Sequence, residues 1–192
     1  MKKSRRGLLL VISGPSGVGK DTIIERLLSL DPNLRYSVSY TTRPPRPGEV
    51  EGVNYSFVSR QRFEDLVAAD HFLEHASYAG NHYGTPAAPV EAARAEGRDI
   101  LLKIDVEGAQ QVRTRVPDAL FIFIAPPTNE ELVRRQELRS RETNQDITER
   151  RRIAEKEMAY ARDYDHVVVN DDLGGAEAEV MEIIRRTRAR QT

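Results

Sequence analysis

The chain has 192 residues with 29 Lys plus Arg against 30 Asp plus Glu, a formal net charge of −1 that argues against a general nucleic-acid binder. Its 39% hydrophobic and 31% charged residues fit a globular protein of one compact domain with smaller inserted lobes. No cysteine is present, which excludes disulfides, thiolate metal sites and thiol nucleophiles. The basic start MKKSRR is followed by only five apolar residues. A secretion signal needs roughly 7–15 and a membrane span ~18, so a soluble, cytoplasmic protein with no membrane partner is expected.

In chain order, residues 7–12 (GLLLVI) form a short apolar run that predicts a strand buried on both faces. A glycine-rich loop, 14–20, follows. From Thr22 the apolar residues Ile23, Ile24, Leu27 and Leu28 recur at helical spacing until Asp31 and Pro32 stop the helix. Strand, loop and helix together open a parallel α/β sheet. Residues 36–85 differ in character: they hold Tyr36, Tyr40, Tyr55, Tyr78 and Tyr83 and turn-rich pieces such as RPPRPGE. Short strands are expected there around one helix, 59–69, capped by Ser59. Strand patterning returns at 99–106 (DILLKIDV), 119–125 (ALFIFIA) and 166–170 (HVVVN). Residues 129–158 are charged and helical in pattern, and 176–188 form a closing helix with Val180, Ile183 and Ile184 on its apolar face.

The loop Gly14-Pro15-Ser16-Gly17-Val18-Gly19-Lys20 fits the G-x-x-x-x-G-K core of a phosphate-binding loop. Its glycines let backbone N–H groups turn inward onto phosphate oxygens, the following helix adds its positive end, and Lys20 supplies a point charge. The pattern then calls for Ser or Thr, whose hydroxyl touches Mg²⁺; here Asp21 and Thr22 follow. A carboxylate is a competent hard ligand for Mg²⁺, and its added negative charge beside a triphosphate favours contact through water or a displaced metal, with Thr22 the alternative source of the hydroxyl.

Arg43 and Arg46 lie three apart on a proline-stiffened segment, and two forked donors suit a second phosphate, with Tyr55 able to add a hydroxyl. The stretch 37–57 (SVSYTTRPPRPGEVEGVNYSF) resembles the signature of the guanylate kinase family. So do FLEHA (72–76), GNHYGT (80–85), IDVEG (104–108) and VNDDL (169–173), in the family's order from about residue 7 to 184. The resemblance implies a P-loop parallel sheet core flanked by helices (1–36, 86–128 and 159–192), an inserted GMP-binding lobe (37–85) and a helical lid (129–158). It implies transfer of phosphate from ATP to GMP with Mg²⁺. Arg43, Arg46, Tyr55 and Tyr83 would hold the GMP phosphate, and Glu74 with Ser39 and Thr85 the base. Asp105, after an apolar strand, would serve GMP and the metal waters, Asn170 the adenine. Arg135, Arg139 and Arg150 match the lid's catalytic arginines, with Arg141 competing for the role of Arg139.

Lys103 stands where the family often has an acid, and its two-residue spacing puts it on the strand face of Asp105; two readings stay open, a pair with Asp105 or an altered contact to the GMP ribose or base, and no role is assigned to it. The alternatives are a non-catalytic guanylate kinase-like peptide-binding module, which Lys20 opposes, and a kinase for another monophosphate, which Glu74 opposes. No N-K-x-D base-reading motif of a GTPase occurs.

Overall fold

The computed structural model describes residues 5–78, 80–139, 152 and 155–191. Five strands form a parallel sheet: β1 (Leu9–Ser13), β2 (Leu34–Tyr36), β7 (Asp99–Lys103), β8 (Leu120–Ala125) and β9 (His166–Val169), in spatial order β2-β7-β1-β8-β9. β1 is buried throughout, as its unbroken apolar run requires. Because side chains alternate across a strand, Leu8, Leu10 and Ile12 pack with Ile23, Ile24 and Leu27 of α1 (Lys20–Leu30) and with Val180, Ile183 and Ile184 of α6 (Leu173–Arg190). Leu9 and Val11 face the other way, onto Val90 of α3 (Ala87–Ala95) and Val106, Ala109 and Val112 of α4 (Val106–Arg115). Each such buried Leu, Ile or Val contributes about 1.5–3 kcal/mol of transfer free energy.

A second sheet lies between α1 and α3 in sequence, with order β4-β3-β6-β5: β3 (Tyr40–Thr41), β4 (Ser56–Phe57), β5 (Phe72–Tyr78) and β6 (Asn81–Pro86). Its small core is Phe63 and Leu66 of α2 (Arg60–Ala68) against Phe72. Ser59 caps α2, its hydroxyl accepting from the Arg62 amide at 3.1 Å. α5 (Asn129–Arg139) follows β8.

Two elements depart from the sequence patterning. The strand expected over 99–106 ends at Lys103, and Asp105 instead caps α4, its Oδ1 accepting from the Gly108 amide at 2.7 Å. The apolar positions of α4 had blended into the preceding strand run. α3 was not legible either, because its run AAPVEAARA carries a proline, which the first turn of a helix tolerates. No helix among the described residues is long and apolar enough to cross a membrane.

Candidate active site

The sheet order reverses about β1: one connection leads to β2 and β7, and β8 lies on the other side. In such sheets ligands bind at the carboxyl ends of the strands beside this reversal. The ends there are Ser13 of β1, Lys103 of β7, Ala125 of β8 and Val169 of β9, leading to the phosphate loop, Asp105 and Asn170.

Gly19, with φ of 100°, caps α1 in the left-handed region. A Cβ there would also lie 2.5 Å from Asn170 Nδ2. Only glycine meets both conditions. Lys20 Nζ donates to the carbonyls of Gly14 at 2.5 Å and Pro15 at 3.0 Å, so it arches back over the loop. The loop is braced from outside. Gln136 Nε2 donates to Ser16 O and Asn170 Nδ2 to Val18 O, both at 2.7 Å. Arg135 Nη1 reaches Asn170 O at 3.1 Å while its Nε is held by Glu131 at 2.8 Å. An open groove here is lined by Gly17, Gly19, Thr22, Arg135, Asn170 and Leu173. The Nδ2 of Asn170 donates to the loop because β9 ends beneath Val18, and Asn170 also lines the groove. Arg139 ends α5, and Arg141 and Arg150 lie outside the described residues.

The second cluster gathers on the other sheet. In the β5–β6 hairpin Glu74 pairs with Thr85 and Ala76 with Tyr83. Direct cross-strand partners share a face, so the Thr85 hydroxyl donates to Glu74 Oε1 at 2.6 Å. Glu74 is 4% exposed and Thr85 fully buried; Ser39 is buried too. Burial pushes the Glu74 carboxyl up to about 7, aided by the charge of Asp105 and opposed by the bond from Thr85. α4 packs on β5, with Gln111 bonded to both the amide and carbonyl of His75 at 3.2 and 2.8 Å. This brings Gly108 against Glu74: a Cβ there would sit 2.5 Å from Oε2. Asp105, raised chiefly by burial, feels the charge of Lys20 as well. It therefore stands between the two clusters.

Arg43 lies 5.5 Å from the ring centroid of Tyr55 and 5.9 Å from that of Phe57, and the Tyr55 and Tyr83 rings are 6.0 Å apart. Its Nη2 is held by Glu49 at 2.7 Å, and the same carboxylate accepts from the Arg46 amide at 2.7 Å. Glu49 went unnoticed in the sequence, although its spacing three after Arg46 is that of a turn closed by a side chain. The Arg46 side chain is exposed.

One of the two readings of Lys103 is not met. Lys103 pairs with Asp21 of α1 at 2.6 Å, not with Asp105, because β7 ends at Lys103 and the two-residue alternation stops with it. Burial alone would lower its ammonium, but Tyr36, Tyr55 and Asp21 outweigh that and hold it protonated. Glu157 was also missed: burial pushes it to about 7, against the charge of Lys20, and its Oε2 is buried with no hydrogen-bond partner among the described residues. No sequence signal marks it, since only the fold brings residue 157 near Lys20 and Asp105.

These geometries can be set beside known proteins. The family described as guanylate kinase matches residues 6–187. A guanylate kinase of Thermus thermophilus is 50% identical over 188 residues, covering 98% of this chain and 84% of that one. One from Desulfitobacterium hafniense is 43% identical, covering 98% and 94%. The crystal structure of guanylate kinase from Anaplasma phagocytophilum aligns with a TM-score of 0.79 at 36% identity, covering 98% of this chain and 88% of that one. Similarity at this level over almost the whole length, joined to a phosphate loop at the switch point of a parallel sheet, leaves one conclusion: the chain belongs to the guanylate kinase family.

Proposed function

We propose that the protein transfers the γ-phosphate of ATP to GMP, giving ADP and GDP. The observation that carries this reading is Glu74, a buried carboxylate fixed by Thr85 within reach of Asp105 and, through it, of Lys20. Guanine offers two adjacent donors, N1–H and N2–H₂, and one carboxylate accepts both. Adenine would leave Glu74 buried and unpaired, at a cost of about 1–3 kcal/mol.

In this reading the loop 14–20 and Lys20 hold the donor triphosphate, while Arg43, Arg46, Tyr55 and Tyr83 hold the acceptor phosphate. Glu74, Ser39 and Thr85 read the base, with Asp105 completing that side. Arg135 already lines the donor groove and, with Arg139 and Arg150, supplies positive charge to the equatorial oxygens of the transferring group. The lobe of residues 37–85 and the lid of 129–158 close over the substrates to exclude water. Phosphoryl transfer then needs positioning and charge, with no covalent intermediate.

Mg²⁺ bound with ATP would supply positive charge to the polyphosphate. Oxygen donors suited to it are Asp21, paired with Lys103, and Asp105, bonded to the Gly108 amide. No cluster of three or more acidic or histidine ligands occurs among the described residues. Asp21 and Asp105 would hold the ion through water.

The direct test is a coupled assay of ADP release with GMP, AMP, CMP and UMP as acceptors. GMP alone is expected to support fast turnover; equal rates for AMP would overturn the reading. Arg43→Met is expected to lower kcat/KM for every accepted monophosphate by about 10–100-fold, about 1.4–2.7 kcal/mol, with base preference intact. A changed preference would place Arg43 on the base instead.

The Glu74 carboxyl predicts a pH dependence. Its value is raised, so the carboxylate that guanine needs forms only as pH rises through about 7. GMP should therefore bind about tenfold more weakly at pH 6 than at pH 8, the direction expected when a proton competes with the base. Calorimetric titrations of the native protein and Glu74→Gln isolate this step from titration of the GMP phosphate itself. A native protein whose pH profile matches that of the variant would refute it.

A further inference from the structure

We propose that Lys103 is a phosphate-binding residue joining the two substrate subsites, its ammonium facing the acceptor phosphate where that phosphate meets the donor. Three observations on its surroundings lead there. Lys103 Nζ lies 2.6 Å from Asp21, the residue that follows Lys20 in the phosphate loop. It lies 6.0 Å from the ring centroid of Tyr55, the same ring over which Arg43 sits at 5.5 Å. Its charge also acts on the hydroxyl of Tyr36, on the neighbouring strand β2. Lys103 is thus the cation on β7 that touches both the donor helix and the acceptor tyrosine.

A purely structural role explains this placement poorly. The Asp21 side chain is 64% exposed, and ion pairs with so exposed a partner contribute only about 0–1 kcal/mol. So weak a pair accounts for little of the placement of this ammonium. Two phosphates approaching one another, by contrast, bring negative charges together, and a cation already partly desolvated between them acts at low reorganisation cost. Asp21 also stands where the phosphate-loop pattern has a hydroxyl. With Lys103 opposite, the pair is neutral, so the carboxylate adds no net repulsion toward a triphosphate. Asp21 is then the group that aims Lys103, and the ammonium exchanges part of its contact with Asp21 for phosphate oxygens.

The inference rests on Arg43, Tyr55 and Tyr83 being the acceptor-phosphate site, and its test separates the two. GMP is titrated by calorimetry into the native protein and into Lys103→Met, Lys103→Glu, Lys103→Arg and Arg43→Met, in EDTA without ATP. Melting temperatures confirm that each variant folds. Lys103→Met should weaken GMP about tenfold and Lys103→Glu more, while Lys103→Arg stays within about threefold of native, as a charge-assisted contact requires. In turnover assays kcat/KM for GMP should follow the same order. Wild-type affinity in both Lys103→Met and Lys103→Glu, with Arg43→Met weakened, overturns the inference alone. Unchanged binding in Arg43→Met as well means that the acceptor-phosphate site itself is misplaced.

Discussion

Glu74→Gln is expected to lower kcat/KM for GMP by one to three orders of magnitude, roughly 1.4–4 kcal/mol. The direction follows from the pair that Glu74 makes with Thr85. The Thr85 hydroxyl donates to Oε1 at 2.6 Å, so the glutamine oxygen stays on that side and its NH₂ takes the place of Oε2 beside Gly108. A donor then faces the donors of guanine. The variant keeps the volume of the native side chain, and it removes a carboxylate that burial already disfavours, so the melting temperature should hold or rise. Background ATP hydrolysis should hardly change, because the phosphate loop is untouched. Full GMP preference in Glu74→Gln would mean that the base is read elsewhere.

Lys20→Ala is expected to lower kcat at least about a hundredfold, some 2.7 kcal/mol, while the protein stays folded. Lys20 spends its ammonium on the Gly14 and Pro15 carbonyls, both on the loop itself. The loop is held in addition by Gln136 and Asn170, whose bonds to Ser16 and Val18 do not involve the lysine. Loss of the ammonium therefore removes charge from the phosphate site and leaves the scaffold standing. Turnover and melting temperature measured on one preparation decide it: activity above a few percent, or a collapsed transition, would each contradict the assigned role.

The local features of the site were readable from residue order. The phosphate loop, the helix cap at Ser59 and the apolar periods of β1 and α1 depend on neighbours within a few positions, and a linear reading captures such short-range physics. The family motifs placed Glu74, Thr85, Arg43 and Asp105 in one catalogue of candidates. Helices α3 and α4 escaped because one carries a proline in its first turn and the other follows directly on a strand of similar composition.

Residue order could not say which charge meets which. Two-residue spacing sets Lys103 on the face of Asp105, but the end of β7 breaks that alternation and the parallel pairing of β7 with β1 carries Lys103 toward Asp21, 82 positions earlier. Glu74 and Gly108 likewise touch only because α4 packs on β5, and Asn170 braces Val18 across 152 positions. Spacing along the chain sets periodicity and capping, which are local. Partners of buried charges are chosen by sheet order and helix packing, since a desolvated group takes whichever counter-charge the fold brings within reach. The chemistry of this protein was therefore written in its residue types, and the pairing that makes a site of them came from the order β2-β7-β1-β8-β9 and the second sheet set against it through α4.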